Sequence, residues 1–395
     1  MAVLRLFNPG CEIEVANGSP YFNLPKNPAI LENELSVLPM YLSNNGDYIL
    51  VNYLPDSEFI NFWQNRFNVN FIRCDCASIY KGVAFDSFAP WGLSPRALNI
   101  AGKFDSFFSD NYRNSLVYKF LPEHKQLFNR STSVDFFKHF ILTDGNDNVY
   151  PSVNQLPIVT EDLNTAVSFF KNGMQRFGGV VFKALFSSSG RGVRIFRKNE
   201  LSDNILAWTN YVIKSFGGVE CEPLFNKVCD FSAHFDIVNN EPIFIGFSRF
   251  STTESGFYRS SKVGKYSNVE FFDDNVSQNF VNHLVSCLRQ SVYCKYYSGP
   301  LGIDCMVYRD GNDLKINPCV EINCRNSMGR LAMQLTDLVS LESDADFYVV
   351  TSSEYNQYGF QEPVFKQDKL YSGFLRLTPT NGEHFVAGVS ATPWQ

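Results

Sequence analysis

A lysine inside an apolar strand has to meet an anion or reach solvent, and Lys183 stands in the run Val180-Val-Phe-Lys-Ala-Leu-Phe186, pointing with Val181 and Leu185. Two residues after Leu185 comes Ser187-Ser-Ser-Gly-Arg-Gly192. Small residues let backbone N–H groups approach an anion closely, and glycine permits φ > 0, so this loop can form an anion-binding nest. It joins two strands and lacks the Gly-Lys-Ser/Thr ending, so it is not a P-loop. Taken alone, a serine-glycine loop between strands is more often a flexible turn.

A second group is acidic. Asp304 lies on one strand of a hairpin, and Glu321 and Asn323 lie on the next. Glu321 and Asn323 are two apart, so they share a face of the sheet, and Asp304 can join them across the hairpin. Magnesium takes hard oxygen ligands and is held by one or two carboxylates plus substrate phosphates, which an Asp, a Glu and an amide oxygen satisfy. Val320 and Ile322 alternate with the acids, a pattern that a solvated sheet face also produces. A third segment, Glu220-Cys-Glu-Pro-Leu-Phe225 with Asp230 downstream, adds further acids, for which surface loops are the default.

The elements that must position these residues are α/β and α+β in pattern. Up to about residue 125 the chain alternates helix and strand. Leu31, Leu35, Leu38 and Leu42 recur at helical spacing, with Pro39 to kink or end that helix. Tyr48–Tyr53 and Val69–Arg73 read as strands, and Asp56 caps a helix that runs to Phe67. No Gly-x-Gly-x-x-Gly turn marks a dinucleotide fold. Pro90-Trp-Gly-Leu-Ser-Pro95 is a rigid turn, either a packing corner or a pocket wall. Beyond residue 126, helices are expected over Ser133–Phe140, Glu161–Arg176, Asp274–Tyr297 and Gly329–Leu341. Asp273 or Asp274 would cap the longest of them. Phe231–Val238 and Pro242–Phe247 read as an antiparallel pair around Asn239-Asn240. Gly302–Tyr308 and Leu314–Cys324 form the hairpin of the acids.

Composition bounds the rest. The chain has 395 residues, too many for one ordinary core, and 45% of them are hydrophobic against 19% charged, which excludes wholesale disorder. A net charge of −6 gives no basic footprint for coating nucleic acid. No run of about 18 apolar residues offers a membrane span, and the first residues, with Glu12 and Glu14, do not read as a secretory signal. The 10 cysteines include no Cys-x-x-Cys pair, so they read as small core hydrophobes in a reducing compartment, the cytoplasm. Cys74 and Cys76 flank Asp75 with no histidine near, which argues against a metal there. His234 reads as a satisfied core or rim histidine, and Ser248-Arg-Phe with Tyr258–Lys262 as a solvated basic hairpin.

In this order and spacing the motifs resemble the ATP-grasp superfamily over residues 126–345: Val-Val-Phe-Lys183, Ser187–Val193, the hinge near Glu222, Asp230, Gly302-Ile-Asp304 and Glu321-Ile-Asn-Cys-Arg325. The resemblance implies a fold of two α+β subdomains, at 126–215 (small, lid) and 216–345 (large, metal site). A β/α domain at 1–125 precedes them, and an extension of no named role follows at 346–395. It implies ATP with magnesium, or manganese, as cofactors. Lys183 would bind the α/β-phosphates, with Ser188, Ser189, Gly190 and Gly192 in the lid over the phosphates. Glu222 and the Pro223–Phe225 backbone, Leu224 included, would bind adenine, and Asp230 the ribose. Asp304, Glu321 and Asn323 would hold the metal. Arg325 and Arg191 would clamp a carboxylate or a phosphate, as arginine forks do. The implied reaction joins a carboxylate to an amine or thiol through an acyl phosphate, releasing ADP and phosphate. Its partners would be small-molecule or peptide substrates, with neither nucleic acid nor membrane. A kinase of the same fold and a nucleotide-binding protein without turnover remain as alternatives. Family members often carry an arginine two residues before the first metal-binding acid, where this chain has Gly302.

Overall fold

Alternation with a period of two decides which side of each strand is buried, and the chain forms three sheets on that rule. The computed structural model describes residues 2–75, 83–144, 146, 148–187, 192–198, 200–254, 256–264, 274–380 and 382–394.

The first sheet is parallel, in the order β3-β2-β1-β4, from β1 (Val3–Leu6), β2 (Tyr48–Val51), β3 (Asn70–Arg73) and β4 (Ser87–Pro90). Parallel sheets are covered on both faces, which is why β2 reads as an unbroken apolar run. Leu50 packs with Leu4, Leu6 and Phe88 on one side, while Ile49 and Val51 pack with Phe7 and Trp63 on the other. Asp56 does cap a helix, accepting the Phe59 N–H at 2.8 Å, but the helix is short, Ser57–Trp63. The leucine spacing from Leu31 to Leu42 does not give one helix. Helix Lys26–Glu34 stops first, and Leu38–Leu42 is a separate 3-10 turn with Pro39 near its start. Proline lacks the N–H that a continuous helix needs.

The second sheet is antiparallel, in the order β5-β8-β6-β7, from β5 (Ile158–Thr160), β6 (Val180–Ala184), β7 (Val193–Phe196) and β8 (Val219–Pro223). Helices Leu163–Phe177 and Asp203–Phe216 cover one face. Asp162 caps the first helix through the Thr165 N–H at 2.9 Å. Val180, Phe182 and Ala184 of β6, with Val219 and Cys221 of β8, face those helices. Val181, Lys183, Glu220 and Glu222 are therefore left on the other side.

The third sheet has nine strands in the order β13-β12-β9-β10-β11-β14-β17-β16-β15. They are β9 (Asn226–Val238), β10 (Glu241–Thr252), β11 (Tyr258–Val263), β12 (Gly299–Asp310), β13 (Asp313–Asn323), β14 (Ser343–Thr351), β15 (Val364–Lys366), β16 (Lys369–Arg376) and β17 (Phe385–Pro393). The β9–β10 turn puts both Asn239 (φ 51°) and Asn240 (φ 65°) in the left-handed region, as a two-residue hairpin requires. On one face Phe231, Ala233, Phe235 and Ile237 of β9 and Leu301, Ile303, Cys305 and Val307 of β12 pack with Phe137, Phe280 and Leu284 from two helices. Those helices are Arg130–Asp144, longer than the expected Ser133–Phe140, and Asp274–Arg289. The latter does not run on to Tyr297. Ser291 breaks it and caps a separate helix, Val292–Tyr296, by accepting the Tyr293 N–H. The expected cap Asp273 lies outside the described residues. Gly329–Leu341 likewise divides into helix Met328–Gln334 and a 3-10 turn, Leu335–Leu338.

The strands from β14 onward close the unit. Phe347, Leu375 and Val389 join the cluster that contains Ile49 and Val51, so they form the second cover of the parallel sheet. The Tyr41 hydroxyl donates to Leu377 O at 2.8 Å, and the Glu34 carboxylate accepts the N–H groups of Glu383, His384 and Phe385. Seven of the described cysteines, Cys11, Cys221, Cys287, Cys294, Cys305, Cys319 and Cys324, are free and buried. No described helix is long and apolar enough to cross a membrane.

Phe347 is fully buried between strands β11 and β17. Phe347→Ala is expected to cost about 3–5 kcal/mol of stability, read as a lowered urea midpoint at unchanged m-value. A loss below about 1 kcal/mol would mean that these strands are not part of the cooperative core.

Candidate functional site

The two antiparallel sheets face each other across a cleft of about 920 Å³, and each contributes the side that its helices leave uncovered. The small sheet supplies Val181, Lys183, Ile195 and Glu222. The nine-stranded sheet supplies Asp230, Asp304 and Glu321, while Leu224 and Phe225 lie in the connection between the two.

Lys183 is buried, and three acceptors surround its ammonium: Glu222 Oε2 at 2.9 Å, Glu220 Oε1 at 3.2 Å and the Val320 carbonyl at 3.2 Å. Glu220 is its direct partner in the β6–β8 register, and Glu222 follows on the same face. Burial pulls the ammonium down, but the two carboxylates outweigh it and hold the pKa above the ordinary lysine range. Burial pushes Glu220 up, Lys183 opposes the shift, and repulsion from Glu222 adds to it.

The expected acid set does assemble. Asp304 stands opposite Glu321 in the β12–β13 register, and Asn323 Nδ2 donates to Asp304 Oδ2 at 3.0 Å. The amide oxygen of Asn323 is then the atom left for a cation. Ser232 on β9 donates to Asp304 Oδ1 at 2.6 Å. Burial raises Asp304 to about 6 despite that hydrogen bond, with Glu321 adding repulsion. Among the described residues no three His, Cys, Asp or Glu side chains converge as a metal site, so two carboxylates and one amide are the available oxygen donors.

Arg130 joins the two halves, and the sequence reading missed it. It begins the helix Arg130–Asp144, donates from Nη1 to Ala184 O at 2.7 Å and to Ser187 Oγ, and pairs from Nη2 with Glu321 Oε1 at 2.8 Å. Its Nε is buried without a hydrogen-bond partner, and so is the hydroxyl of Tyr308. Both residues line the cleft. Two orphaned polar atoms in a cleft with buried acids fit a polar, phosphate-bearing ligand with its cation. A signal for Arg130 was present: with Ser133, Val134, Phe137 and Ile141 it falls on the buried helical stripe, where a charge needs a reason.

The remaining candidates are placed unevenly. Asp230 is buried and accepts from Lys227 Nζ and, at 3.1 Å, from Thr252 Oγ1. Leu224 lines the cleft, but its N–H already donates to Gly179 O at 3.0 Å, so that amide is not open to a base. The Phe225 ring lies against Tyr308, with centroids 4.3 Å apart. Gly192 packs so closely that a Cβ would sit 2.7 Å from Ser187 Cβ. Arg325 does not line the cleft: its Nε donates to Glu12 of the first helix, and its backbone bridges to Gly92. Ser188, Ser189, Gly190 and Arg191 lie outside the described residues, as does Cys76. His234 is buried and hydrogen-bonded to Ser248 Oγ at 2.8 Å, and burial lowers it to about 3.

No family model matches the chain, and no curated protein matches it. Solved structures do. The biotin carboxylase domain dimer of the 2-oxoglutarate carboxylase from Hydrogenobacter thermophilus, in complex with MgADP, ADP and bicarbonate, is similar at TM-score 0.51 and 11% identity, over 99% of this chain and 86% of that one. Biotin carboxylase from Campylobacter jejuni in a β-γ-ATP complex is similar at TM-score 0.50 and 10% identity, over 99% and 87%. N5-carboxyaminoimidazole synthetase from Staphylococcus aureus, complexed with ADP, gives TM-score 0.47 and 12% identity, over 99% and 93%. At these identities the likeness is one of fold.

The raised Glu220 carboxyl has a consequence for stability. Between its ordinary value of 4.5 and neutral pH the folded chain holds a proton that the unfolded chain has lost, so stability falls as pH rises through that window. Glu220→Gln should flatten the fall by at most about 1.4 kcal/mol per pH unit, measured as urea midpoints from pH 4.5 to 7.5. An unchanged slope would assign the proton to another group.

Proposed function

We propose that this chain, which has the ATP-grasp fold, binds Mg-ATP in the cleft between its two antiparallel sheets and acts as an ADP-forming ligase. The observation that carries the reading is that Lys183, Arg130, Asp304 and Glu321 line one cleft, with Arg130 paired to Glu321 and Asn323 hydrogen-bonded to Asp304. Nucleotides bound to two proteins of like fold support it.

Lys183 and Arg130 are the two cations that face the phosphates. Lys183 has three donors and three protein acceptors, so it exchanges one carboxylate for a phosphate oxygen. Arg130 brings a donor, Nε, that is already unpaired. Phe225 and Tyr308 offer the base an aromatic wall, Glu222 and Leu224 border it, and Asp230 takes the ribose hydroxyls. By the resemblance in sequence, the loop Ser187–Gly192 with Arg191 would close over the phosphates. Asp304, Glu321 and Asn323 hold magnesium or manganese, which when bound supplies positive charge against the transferring phosphoryl oxygens. Arg325, two residues past Asn323 and outside the cleft lining, would clamp the carboxylate substrate from beside the cleft, with its Nε held by Glu12. An acyl phosphate formed there is attacked by an amine or a thiol, and no protein nucleophile is needed.

Lys183→Ala and Glu321→Ala are each expected to lower turnover by about 3 kcal/mol, the cost of one preorganised charge stabiliser. Calorimetry should also find weaker Mg-ATP binding in both, and parental affinity in both would remove the site assignment. The reaction class is read by incubating the protein with Mg-ATP and a pool of amino acids, short peptides and small carboxylic acids. Ligation gives ADP and inorganic phosphate in equal amounts, dependent on the pool. ADP without inorganic phosphate would identify a phosphotransferase instead.

A further inference from the structure

A second cavity, of about 950 Å³, lies between the parallel sheet and the nine-stranded sheet, and it shares no lining residue with the nucleotide cleft. Arg5, Asp86 and Phe88 come from β1, the approach to β4 and β4 itself. Asp236 and Pro300 come from β9 and β12, and Arg330 from the helix Met328–Gln334. Its volume is in the range of small-molecule sites.

Three arginines line this cavity, and their commitments differ. Arg330 has both terminal nitrogens engaged, Nη2 with Asp236 at 2.8 Å and Nη1 with Phe235 O at 3.2 Å. Arg66 donates from Nη2 to Asp368 O. Arg5 uses only Nε, on Asp47 at 2.9 Å, and no bond within the described residues engages its two terminal nitrogens. Asp47 is held in place, since it also accepts the N–H groups of Val3 at 2.9 Å and Asn44 at 3.0 Å. The forked end of Arg5 is thus the cavity's place for an acid group.

The complementary group is Asp86. Its Oδ2 is buried and takes no hydrogen bond, and the same holds for the Ser115 hydroxyl. Both residues line the cavity. A buried carboxylate oxygen without a donor is costly, and a charged amine is the strongest donor that can satisfy it. In the β1–β4 register Arg5 stands opposite Ala89, three residues beyond Asp86, so the two backbones are offset by roughly 10 Å along the strands. Both residues line the one cavity, so a ligand that reaches both groups is of amino-acid to dipeptide length. Phe88, Tyr112 and Tyr297 contribute aromatic surface to the walls.

From these groups we infer that the cavity is a second small-molecule site, selective for a zwitterion with an aromatic body, an amino acid or a dipeptide. The acid group pairs with Arg5, the amine pairs with Asp86 and Ser115, and the ring packs among the aromatic residues. The site is independent of the nucleotide reading.

Calorimetry on the full chain without nucleotide tests this, with L-phenylalanine and L-phenylalanylglycine as ligands. Phenethylamine and 3-phenylpropionate serve as the amine-only and acid-only probes. At least one zwitterion should bind with one-to-one stoichiometry and more tightly than either probe. Asp86→Asn should weaken the zwitterion and phenethylamine about tenfold and leave 3-phenylpropionate unchanged. Arg5→Lys, which keeps a cation for Asp47, should do the reverse, and Ser115→Ala should follow Asp86→Asn more weakly. Mg-ATP affinity, measured on each variant, should stay at the parental value and report that the fold is intact. The inference is overturned if neither zwitterion binds at millimolar concentration. It is also overturned if the zwitterions and probes bind alike, or if binding survives all three substitutions in folded protein.

Discussion

Between the two antiparallel sheets, charges are buried that neither sheet could hold alone. Lys183 and Arg130 stand among the carboxyl groups of Glu220, Glu222, Glu321 and Asp304, which outnumber them four to two, and burial raises Glu220 and Asp304. Isolated charges at this depth would be prohibitive, so each must be placed where an opposite charge or a hydrogen bond reaches it. That requirement fixes the register of β6 on β8 and of β12 on β13. It also fixes the start of the helix at Arg130, because Arg130 bonds both Ala184 O of the small sheet and Glu321 of the large one. The surplus of carboxyl groups is what a divalent cation would bind.

Much of this was legible because it is local. Lys183 is conspicuous in an apolar run, and the spacing of Glu321 and Asn323 puts them on one face with Asp304 opposite, as the β12–β13 register has it. What was not legible depends on contacts distant in sequence. The sequence singled out Glu222 and not Glu220, and only the pairing of β6 with β8 makes both of them partners of the Lys183 ammonium. Arg130 lies 191 positions before Glu321, and nothing near it announces the ion pair. The Leu224 amide reads as available and is in fact taken by Gly179 O, a bond that exists only after β8 pairs with β6.

Helix ends were the least legible feature, for identifiable reasons. The apolar stripe through residues 274–297 is continuous, yet Ser291 competes for backbone N–H groups and starts a new helix. The leucine repeat at 31–42 is helical in spacing and fails at a proline. The strands after residue 342 matched no motif, because their role is to cover a sheet 300 residues earlier in the chain. Phe347 and Val389 complete the environment of Ile49 and Val51. Whether that closing segment carries a role of its own is separate from this packing, which already makes it part of the core.

Strand β9 has a consequence of a different kind. The face of β9 turned away from its covering helices carries Asp230 at the first cleft and Asp236 at the second cavity, with ladders to β12 and to β10, the latter bulged between Phe244 and Gly246. Six residues of extended chain span roughly 20 Å. The strand therefore works as a ruler: neither pocket can move along it toward the other without breaking paired backbone bonds on both sides.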